Sequence, residues 1–245
     1  LIWLVAHLDS KSQTIPMLLR ITSVIVAASL YAITVAALVW AVAFNSASGA
    51  PAVATRSAAA TLAWITALLG VAATLPVLFC FIGNRSKGAL DNASGVAAVI
   101  LAIEMLRDGE VGVMITSGEE LGLAGAKAYV DRAGMKGIAL NCDTIDASGR
   151  FICMSSGPMP DRLSVAIDHA VRATGVEVRR QRMIPGVLAD NIAFTEAGWP
   201  SFTLSRGNLG TLARVHTSRD RAGEIDGTGI AMAAQLLAAT AKELS

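Results

Sequence analysis

The chain has no marked excess of charge of either sign, since its 245 residues contain 20 lysines and arginines against 19 aspartates and glutamates. This balance leaves no basic patch that would indicate a nucleic-acid partner and no acidic run that would act as a solvating tail. The three cysteines have no paired spacing, so they imply no disulfide framework and fit a reducing compartment. Aromatic residues make up only 5% of the chain, whereas 53% of the residues are hydrophobic. An apolar share this large is high for a soluble enzyme, and the excess is local.

Two long runs lack any charged residue, at residues 21–44 and 58–83. Each exceeds the roughly 20 residues that a helix needs to cross the hydrocarbon core of a bilayer. The short polar connection at 45–57 would make the two helices antiparallel neighbours. The pattern therefore predicts a transmembrane helical hairpin within residues 17–84 that contacts the lipid bilayer, with a pair of buried core helices as the alternative. Neither run is N-terminal, which excludes a signal peptide.

Outside the hairpin, strand-like and helix-like patterns alternate along the chain. The apolar, strand-like runs are 1–6, 111–116, 138–142, 151–154 and 201–204. The helical patterns are 93–107, 121–132, 161–174 and 227–243. This alternation predicts an α/β domain with a mostly parallel or mixed sheet flanked by helices. We expect residues 1–10 and 85–245 to form that domain, and because the chain opens inside a strand we expect it to be part of a longer protein.

Acidic residues and histidines stand where the predicted strands end, which is where open α/β sheets bind their ligands. These residues are His7, Asp9, Glu119, Glu120, Asp143 and Asp146, joined by Asp91 at the start of a helix and by His216 late in the chain. Each alone has an ordinary explanation. Asp91 suits a helix N-cap, and the adjacent Glu119 and Glu120 suit a solvated turn or the first turn of a helix.

Taken together, the carboxylates and imidazoles would be costly to desolvate unless a cation held them. Histidine and carboxylate ligands suit zinc and related divalent ions. Two ions about 3.5–4 Å apart would need one bridging carboxylate, and five ligands including one bridge is a suitable number. The sequence therefore predicts a site for two divalent ions.

Five motifs carry a resemblance to a known family: "AHLDS", "GALDNASGV", "TSGEELGL", "NCDTID" and "VHTSRD". Their order resembles that of the zinc-dependent exopeptidases typified by bacterial leucyl aminopeptidase, aminopeptidase Y and glutamate carboxypeptidase II. The resemblance covers residues 1–6 and roughly 87–245 and leaves the hairpin uncovered. It implies the phosphorylase/hydrolase-like fold of the zinc exopeptidases.

The resemblance also implies a role for each residue of the motifs. Asp91 is similar to the carboxylate that bridges two zinc ions, although one position could take another divalent ion. His7 and Asp143 resemble the remaining ligands of one ion. Glu120 and His216 resemble those of the second.

Two further residues resemble catalytic groups of the family rather than ligands. Glu119 is similar to the general base that acts on a metal-bridging water, and Asp9 to the aspartate that orients the histidine ligand. The segment "ADNIAFTEAGWPSFTL" departs from the family, because Asn191 stands where a histidine is common. That departure leaves the roles of Asp190 and Asn191 open.

The resemblance predicts a membrane-bound metallopeptidase that removes residues from a peptide terminus, with an aminopeptidase favoured. Three alternatives remain: a single-zinc acyltransferase like the glutaminyl cyclases, an inactive receptor-like member of the fold, and a transporter. Basic residues flank the hairpin mainly on the side of the α/β domain, which predicts a multi-pass protein of the cell membrane with a cytoplasmic catalytic domain.

Overall fold

The computed structural model describes residues 1–43, 50–106, 111–184 and 186–245. The chain divides into two compact units, one made of Leu1–Ser12 with Ile82–Ser245 and the other of Gln13–Phe81. The first unit contains the α/β fold and the second contains two long helices.

The α/β unit is built on a six-stranded sheet. Its strands are β1 (Ile2–His7), β4 (Val111–Thr116), β5 (Ile138–Ile145), β6 (Arg150–Ser155), β7 (Val178–Arg182) and β8 (Ser201–Gly207), in the order β4-β1-β5-β8-β6-β7. The first four in that order are mutually parallel, whereas β6 runs antiparallel to β8 and β7 runs parallel to β6. Two short strands, β2 (Ser12–Gln13) and β3 (Ile82–Gly83), form a separate ribbon.

Helices cover both faces of the large sheet. They are α3 (Ser94–Met105), α4 (Ala124–Val130), α5 (Asp161–Thr174), α6 (Asn191–Glu196), α7 (Leu209–Arg214) and α8 (Gly227–Leu244). Side chains of β1 alternate between the faces, since Leu4 and Ala6 join the core beneath α3, α5 and α8, while Val5 joins the core beneath α4 and α6. This period-2 alternation is what a sheet buried on both faces requires. The predicted α/β class with a mixed sheet is confirmed.

The second unit pairs α1 (Met17–Ala43) with α2 (Ala50–Leu78). Hydroxyl pairs join the helices, with 2.7 Å between Thr34 Oγ1 and Thr66 Oγ1 and 3.2 Å between Tyr31 Oη and Thr74 Oγ1. Both helices are long and apolar enough to cross a membrane, with mean hydropathies of 2.2 and 1.9, a test of length and composition only. Their most apolar windows are only 11% and 17% buried, which argues against the alternative of buried core helices.

Several predicted boundaries were wrong. The predicted helix 58–83 ends earlier, at Leu78, and the chain then forms β3 at Ile82–Gly83. The predicted helix 121–132 is instead a 3₁₀ turn, Glu119–Leu121, followed by α4. Left-handed backbone at Gly122 and Leu123 separates these two pieces, and Gly118 just before the turn is also left-handed. The predicted ends at Phe44 and Arg107 lie outside the described residues, as does the first part of the predicted connection 45–57. The second part of that connection, 50–57, is already helical and belongs to α2.

Candidate metal centre

His7 is the last residue of β1, and its imidazole is fully buried. Its Nδ1 donates to the Asp9 carbonyl oxygen at 3.0 Å, which orients the ring and directs Nε2 toward the edge of the sheet. Nε2 lies 3.0 Å from Asp91 Oδ1 and 3.6 Å from Asp143 Oδ1. Asp143 reaches this place because β5 is irregular between Cys142 and Ile145, with Thr144 at a φ of 60°.

Asp91 lies in the tight turn Ala89–Ala93 that precedes α3, with a non-helical backbone (φ −123°, ψ 90°). The Asp220 carboxylate accepts hydrogen bonds from the backbone N–H groups of Leu90 at 2.5 Å and Asp91 at 3.4 Å. Asn92 fastens the turn to β5 by donating to the Cys142 carbonyl at 2.9 Å. The turn is thus held from two sides, and the Asp91 carboxylate is directed into the site.

The two carboxylate oxygens of Asp91 face different histidines. Oδ1 faces His7, and Oδ2 lies 2.9 Å from Nε2 of His216. His216 follows α7 and has a left-handed backbone with a φ of 62°, which turns the chain sharply at this position. Asp91 therefore stands between two imidazoles that come from opposite ends of the sequence.

Glu119 and Glu120 form the 3₁₀ turn after β4, and Asp9 holds their backbone. The Asp9 carboxylate accepts from the N–H of Glu119 at 3.2 Å and of Glu120 at 3.1 Å. Glu120 Oε1 lies 2.8 Å from His216 Nε2, while Glu120 Oε2 forms a 2.6 Å ion pair with Lys11 Nζ. Glu119 is only 5% exposed. The two glutamates therefore differ in their partners, although both side chains are shielded from solvent.

Five of the side chains form two groups whose potential ligand atoms lie within 4.8 Å of one another. His7, Asp91 and Asp143 form one group, and Asp91, Glu120 and His216 form the other. Two buried ligand atoms, His7 Nε2 and Glu120 Oε1, have no hydrogen-bond partner among the described residues. Buried polar atoms of this kind need a partner, and an imidazole nitrogen facing carboxylate oxygens suits a divalent ion such as zinc. The residues therefore fit metal ions.

Burial and mutual repulsion shift the pKa values of the acidic side chains in this cluster. Burial raises the pKa of Glu119 to about 10, and the negative charge of Asp143 acts in the same direction. Burial also raises the pKa of Asp143. Burial opposes ionisation of Asp91 as well, but the adjacent imidazoles of His216 and His7 hold its pKa well below the usual range. Without a cation, the cluster compensates its charge through protonated groups, which is the situation that a divalent ion would relieve.

The pKa values of His216 and Asp9 shift in the direction that favours the charged form of each side chain. Burial by itself would lower the pKa of His216, but Asp91 and Glu120 raise it to about 9. Burial would raise the pKa of Asp9, yet the nearby His7 imidazole and the hydrogen bonds from the N–H groups of Glu120 and Glu119 lower it to about 2. Asp9 is therefore ionised, and it lies on the Nδ1 side of the His7 ring.

Asp190 and Asn191 lie in a buried polar layer and belong to neither ligand group. The Asp190 carboxylate accepts a short hydrogen bond from Thr116 Oγ1, and Asn191 Oδ1 accepts from Thr203 Oγ1 at 2.8 Å. Burial raises the pKa of Asp190 to about 6. Asn191 packs as a buried amide where the resembled family often has histidine.

Sequence reasoning missed three residues that shape the site. Lys11 pairs with Glu120, Asn92 fixes the Asp91 turn, and Asp220 holds the backbone of that turn. Asn92 and Asp220 both lie inside family motifs, "LDNAS" and "VHTSRD", so position in a motif was the available signal. Lys11 gave no signal, because a lysine two residues beyond a strand-end aspartate is common on solvated loops.

A mixed α/β sheet with histidines and carboxylates gathered at the ends of its parallel strands defines a candidate metallohydrolase. A model of peptidase family M28 matches residues 73–241, more than half of the chain. The chain therefore belongs to peptidase family M28. This confirms the resemblance to the zinc exopeptidases and places the chain among the metallopeptidases, a class of hydrolases. No curated protein matches the sequence.

Solved structures show the same fold at low sequence identity. The zinc aminopeptidase BSAP from Bacillus subtilis has a TM-score of 0.59 and 22% identity, over 66% of this chain and 43% of that one. The LapA aminopeptidase of Legionella pneumophila has a TM-score of 0.57 and 17% identity, over 68% and 49% of the two chains. A glutaminyl cyclase of Bacteroides thetaiotaomicron, bound to N-acetylhistamine, has a TM-score of 0.58 and 15% identity, over 98% and 71%. The chain spans less than half the length of the two aminopeptidases.

Proposed function

We propose that this protein is a membrane-bound zinc exopeptidase that hydrolyses peptide bonds at a chain terminus, with the amino terminus favoured. The observation that carries the proposal is that two compact ligand groups share a single residue, Asp91. A shared carboxylate is what a site for two neighbouring divalent ions needs. Membership of a peptidase family and the aminopeptidases of similar fold support peptide as the substrate.

The proposed site residues have two kinds of role, since some would bind the metal ions and one would transfer protons. His7, Asp91 and Asp143 would hold one zinc ion, and Asp91, Glu120 and His216 the other. Bound zinc would supply Lewis acidity at the scissile carbonyl and would lower the pKa of an attacking water. The protein contributes the orientation of these ligands, chiefly through Asp9, which fixes both the His7 ring and the Glu119–Glu120 turn.

Glu119 is the proposed general base. It belongs to neither ligand group and is buried close to Asp143. Burial raises its pKa, and the positive charge of bound zinc would counter that effect, so that the carboxylate is ionised and free to accept a proton. One oxygen of Glu119 would take the proton of the attacking water and then deliver it to the leaving amine, the two proton transfers that amide hydrolysis requires. Two adjacent glutamates thus have separate tasks.

The second candidate function is that of a single-zinc acyltransferase like the glutaminyl cyclases. One observation supports it: the cyclase from Bacteroides thetaiotaomicron aligns over 98% of this chain, although a leucine aminopeptidase precursor from the same organism aligns over the same share. Against it, the second ligand group is complete in Asp91, Glu120 and His216. An inactive, receptor-like protein is disfavoured because all five proposed ligands and Glu119 carry the side chains that the chemistry needs.

A hydrolysis screen with the detergent-solubilised full chain tests the proposal. Matched peptides would be offered with both ends free, with an acetylated amino terminus, or with an amidated carboxyl terminus. We expect stepwise shortening that acetylation blocks and amidation leaves unchanged, that a chelator abolishes, and that added zinc restores.

The opposite blocking pattern would make the enzyme a carboxypeptidase. Release of ammonia from an amino-terminal glutamine, without peptide-bond cleavage, would instead identify the cyclase activity. The Glu119→Gln variant serves as the control for contaminating peptidases, because it should be inactive in every arm.

A further inference from the structure

A buried carboxylate outside both ligand groups lies close to the candidate metal centre. Asp146 directly follows β5, three residues beyond Asp143, and is only 1% exposed. Its Oδ2 accepts short hydrogen bonds from Thr211 Oγ1 and from Nη2 of Arg214. Its backbone N–H donates to the Arg206 carbonyl at 2.9 Å. Asp146 is thus tied to the sheet by its backbone and to α7 by its side chain.

The α7 helix that receives this carboxylate is short and leads directly to His216. Asn208 caps its start by accepting from the N–H groups of Gly210 at 2.7 Å and Thr211 at 3.2 Å. Arg214 is its last residue, and the Arg214 carbonyl accepts from Thr217 N at 3.1 Å and from Thr217 Oγ1 at 2.6 Å. Arg214 therefore contacts the end of β5 through its side chain and stabilises the turn around His216 through its backbone.

That turn carries two groups of the site. His216 belongs to the second ligand group, and Asp220 holds the backbone of the Asp91 turn. The Asp146–Arg214 pair consequently joins the strand that bears a ligand of the first group, Asp143, to the segment that bears a ligand of the second. The left-handed backbone of His216 makes its side-chain direction depend on how firmly that segment is held.

Stability alone does not explain this ion pair. Replacing a buried ion pair by apolar residues of similar size is often neutral or stabilising, because desolvation offsets the attraction. Fixing the position of one element relative to another is a role that buried ion pairs have in some proteins, and here the pair joins the end of β5 to α7. Metal ligands must be held within about 0.5 Å of their working geometry, and a link between the two ligand-bearing segments meets that requirement.

We propose that Asp146 and Arg214 are positioning residues that set His216 relative to Asp143 and so determine the affinity of the second metal position. This inference rests on the proposed two-ion function. Loss of the pair would leave His7 and Asp143 in place and Asp91 held to β5 through Asn92, while letting His216 move. Groups that orient metal ligands from behind typically contribute about 10–100-fold in metal affinity.

The test is a titration of the chelator-stripped full chain in detergent with Co²⁺, whose absorption reports each occupied position, and then with Zn²⁺. For Asp146→Asn we expect the first equivalent to bind within about twofold of wild type and the second to bind at least about tenfold more weakly. Arg214→Lys keeps the positive charge but loses the planar guanidinium group. Its affinity for the second equivalent should lie between those of wild type and Asp146→Asn. Turnover of Asp146→Asn should recover as zinc is raised.

The matched control is Asp168→Asn. Asp168 forms an Asp–Arg pair with Arg180 between α5 and β7, but that pair is exposed and far along the sheet from the ligand groups. The Asp168→Asn variant should therefore bind both metal equivalents with wild-type affinity. The double variant Asp146→Leu with Arg214→Met removes both buried charges, so it should stay folded while lacking the link.

Several results would overturn the inference. These are wild-type affinity for both ions in Asp146→Asn, equal weakening of both ions, or recovery of the second ion in the double variant. If the wild-type chain itself takes up only one ion, the two-ion function fails first and the positioning role fails with it. A wild type with two ions and an unaffected Asp146→Asn would refute the positioning role alone.

Discussion

Glu119 and Glu120 are adjacent in the chain, yet the structure gives them different surroundings. Glu120 directs one oxygen to His216 and the other to Lys11, so it is held as a ligand would be. Glu119 is buried, and its pKa is raised by burial and by Asp143. A helix start or a solvated turn would have left both carboxylates exposed to solvent.

We expect Glu119→Gln to retain both zinc ions while lowering turnover by at least about a hundredfold, the contribution typical of a general base. Glu120→Gln should instead lower the occupancy of one metal position. Parallel metal analysis and peptide hydrolysis separate the two effects, and Glu104→Gln on the exposed side of α3 is the control. Near-normal turnover in Glu119→Gln would show that another group is the base.

The raised pKa of Glu119 also predicts a pH dependence of stability for the metal-free protein. In the unfolded chain a glutamate ionises near pH 4.3, whereas burial raises the pKa of Glu119 in the folded protein to about 10. Between these values the folded state holds a proton that the unfolded state has released, so stability falls as pH rises. The slope is at most about 1.4 kcal/mol per pH unit.

The measurement is the melting temperature of chelator-treated wild type and Glu119→Gln from pH 5 to 9. The glutamine variant cannot ionise, so its advantage over wild type should grow with pH across this window. Other titrating groups, including His216, are common to both proteins and largely cancel in the difference. A difference that does not change with pH would place Glu119 in a solvated environment.

The four parallel strands could be predicted from the sequence because they form short apolar runs, and three of them, β1, β5 and β8, are inner strands of the sheet. β4 matches its predicted range, and β1, β5 and β8 fall within one to three residues of theirs. β7 was missed because "VRRQR" is a polar strand at the sheet edge, where most of its side chains meet solvent. α6 and α7 have six residues each, too few for a helical period to emerge.

The candidate site could be predicted only in part, because the local sequence shows which residues stand at strand ends but not which distant residues they contact. Strand ends identified His7, Glu119 and Asp143 as candidates, because parallel strands bring their carboxyl ends to one edge. The partners of these residues could not be predicted in the same way. The pairs Lys11–Glu120 and Asp146–Arg214 join residues more than sixty positions apart, and no local pattern encodes such contacts.

The first turn of α3 approaches the end of β5 closely at Gly95. A Cβ atom added there would meet Asn92 Oδ1 and the Cys142 carbonyl oxygen, both too near to be accommodated. Gly95→Ala should therefore displace the Asp91 turn, costing about 1–3 kcal/mol of stability and lowering zinc uptake. Melting curves and metal analysis would test this, with Gly157→Ala as the control because nothing lies near its added Cβ. Unchanged zinc content would mean that the turn tolerates the shift.

The two long helices determine where the proposed enzyme works. Basic residues in short flanks tend to remain in the cytoplasm. Four of them, Lys11, Arg20, Arg85 and Lys87, lie at the end of the helical pair that continues into the α/β unit, whereas the opposite end carries only Arg56, near the start of α2. We therefore predict a cytoplasmic catalytic unit with the connection outside.

A cysteine introduced at Ser48, in a background without Cys80, should react with a membrane-impermeant thiol reagent on intact cells. The reciprocal variant, with a cysteine at the exposed Asp226 of the α/β unit, should react only after the membrane is opened. The opposite pattern of labelling would place the catalytic unit outside the cell and reverse the predicted orientation.

The central claim is a two-ion site bridged by Asp91, and the zinc bound per purified full chain tests it most directly. We predict two zinc ions per chain for wild type. Asp91→Ala should lose more zinc than His216→Ala, because Asp91 belongs to both ligand groups and His216 to only one. A wild type that binds a single ion, or equal zinc loss in the two variants, would contradict a bridged pair.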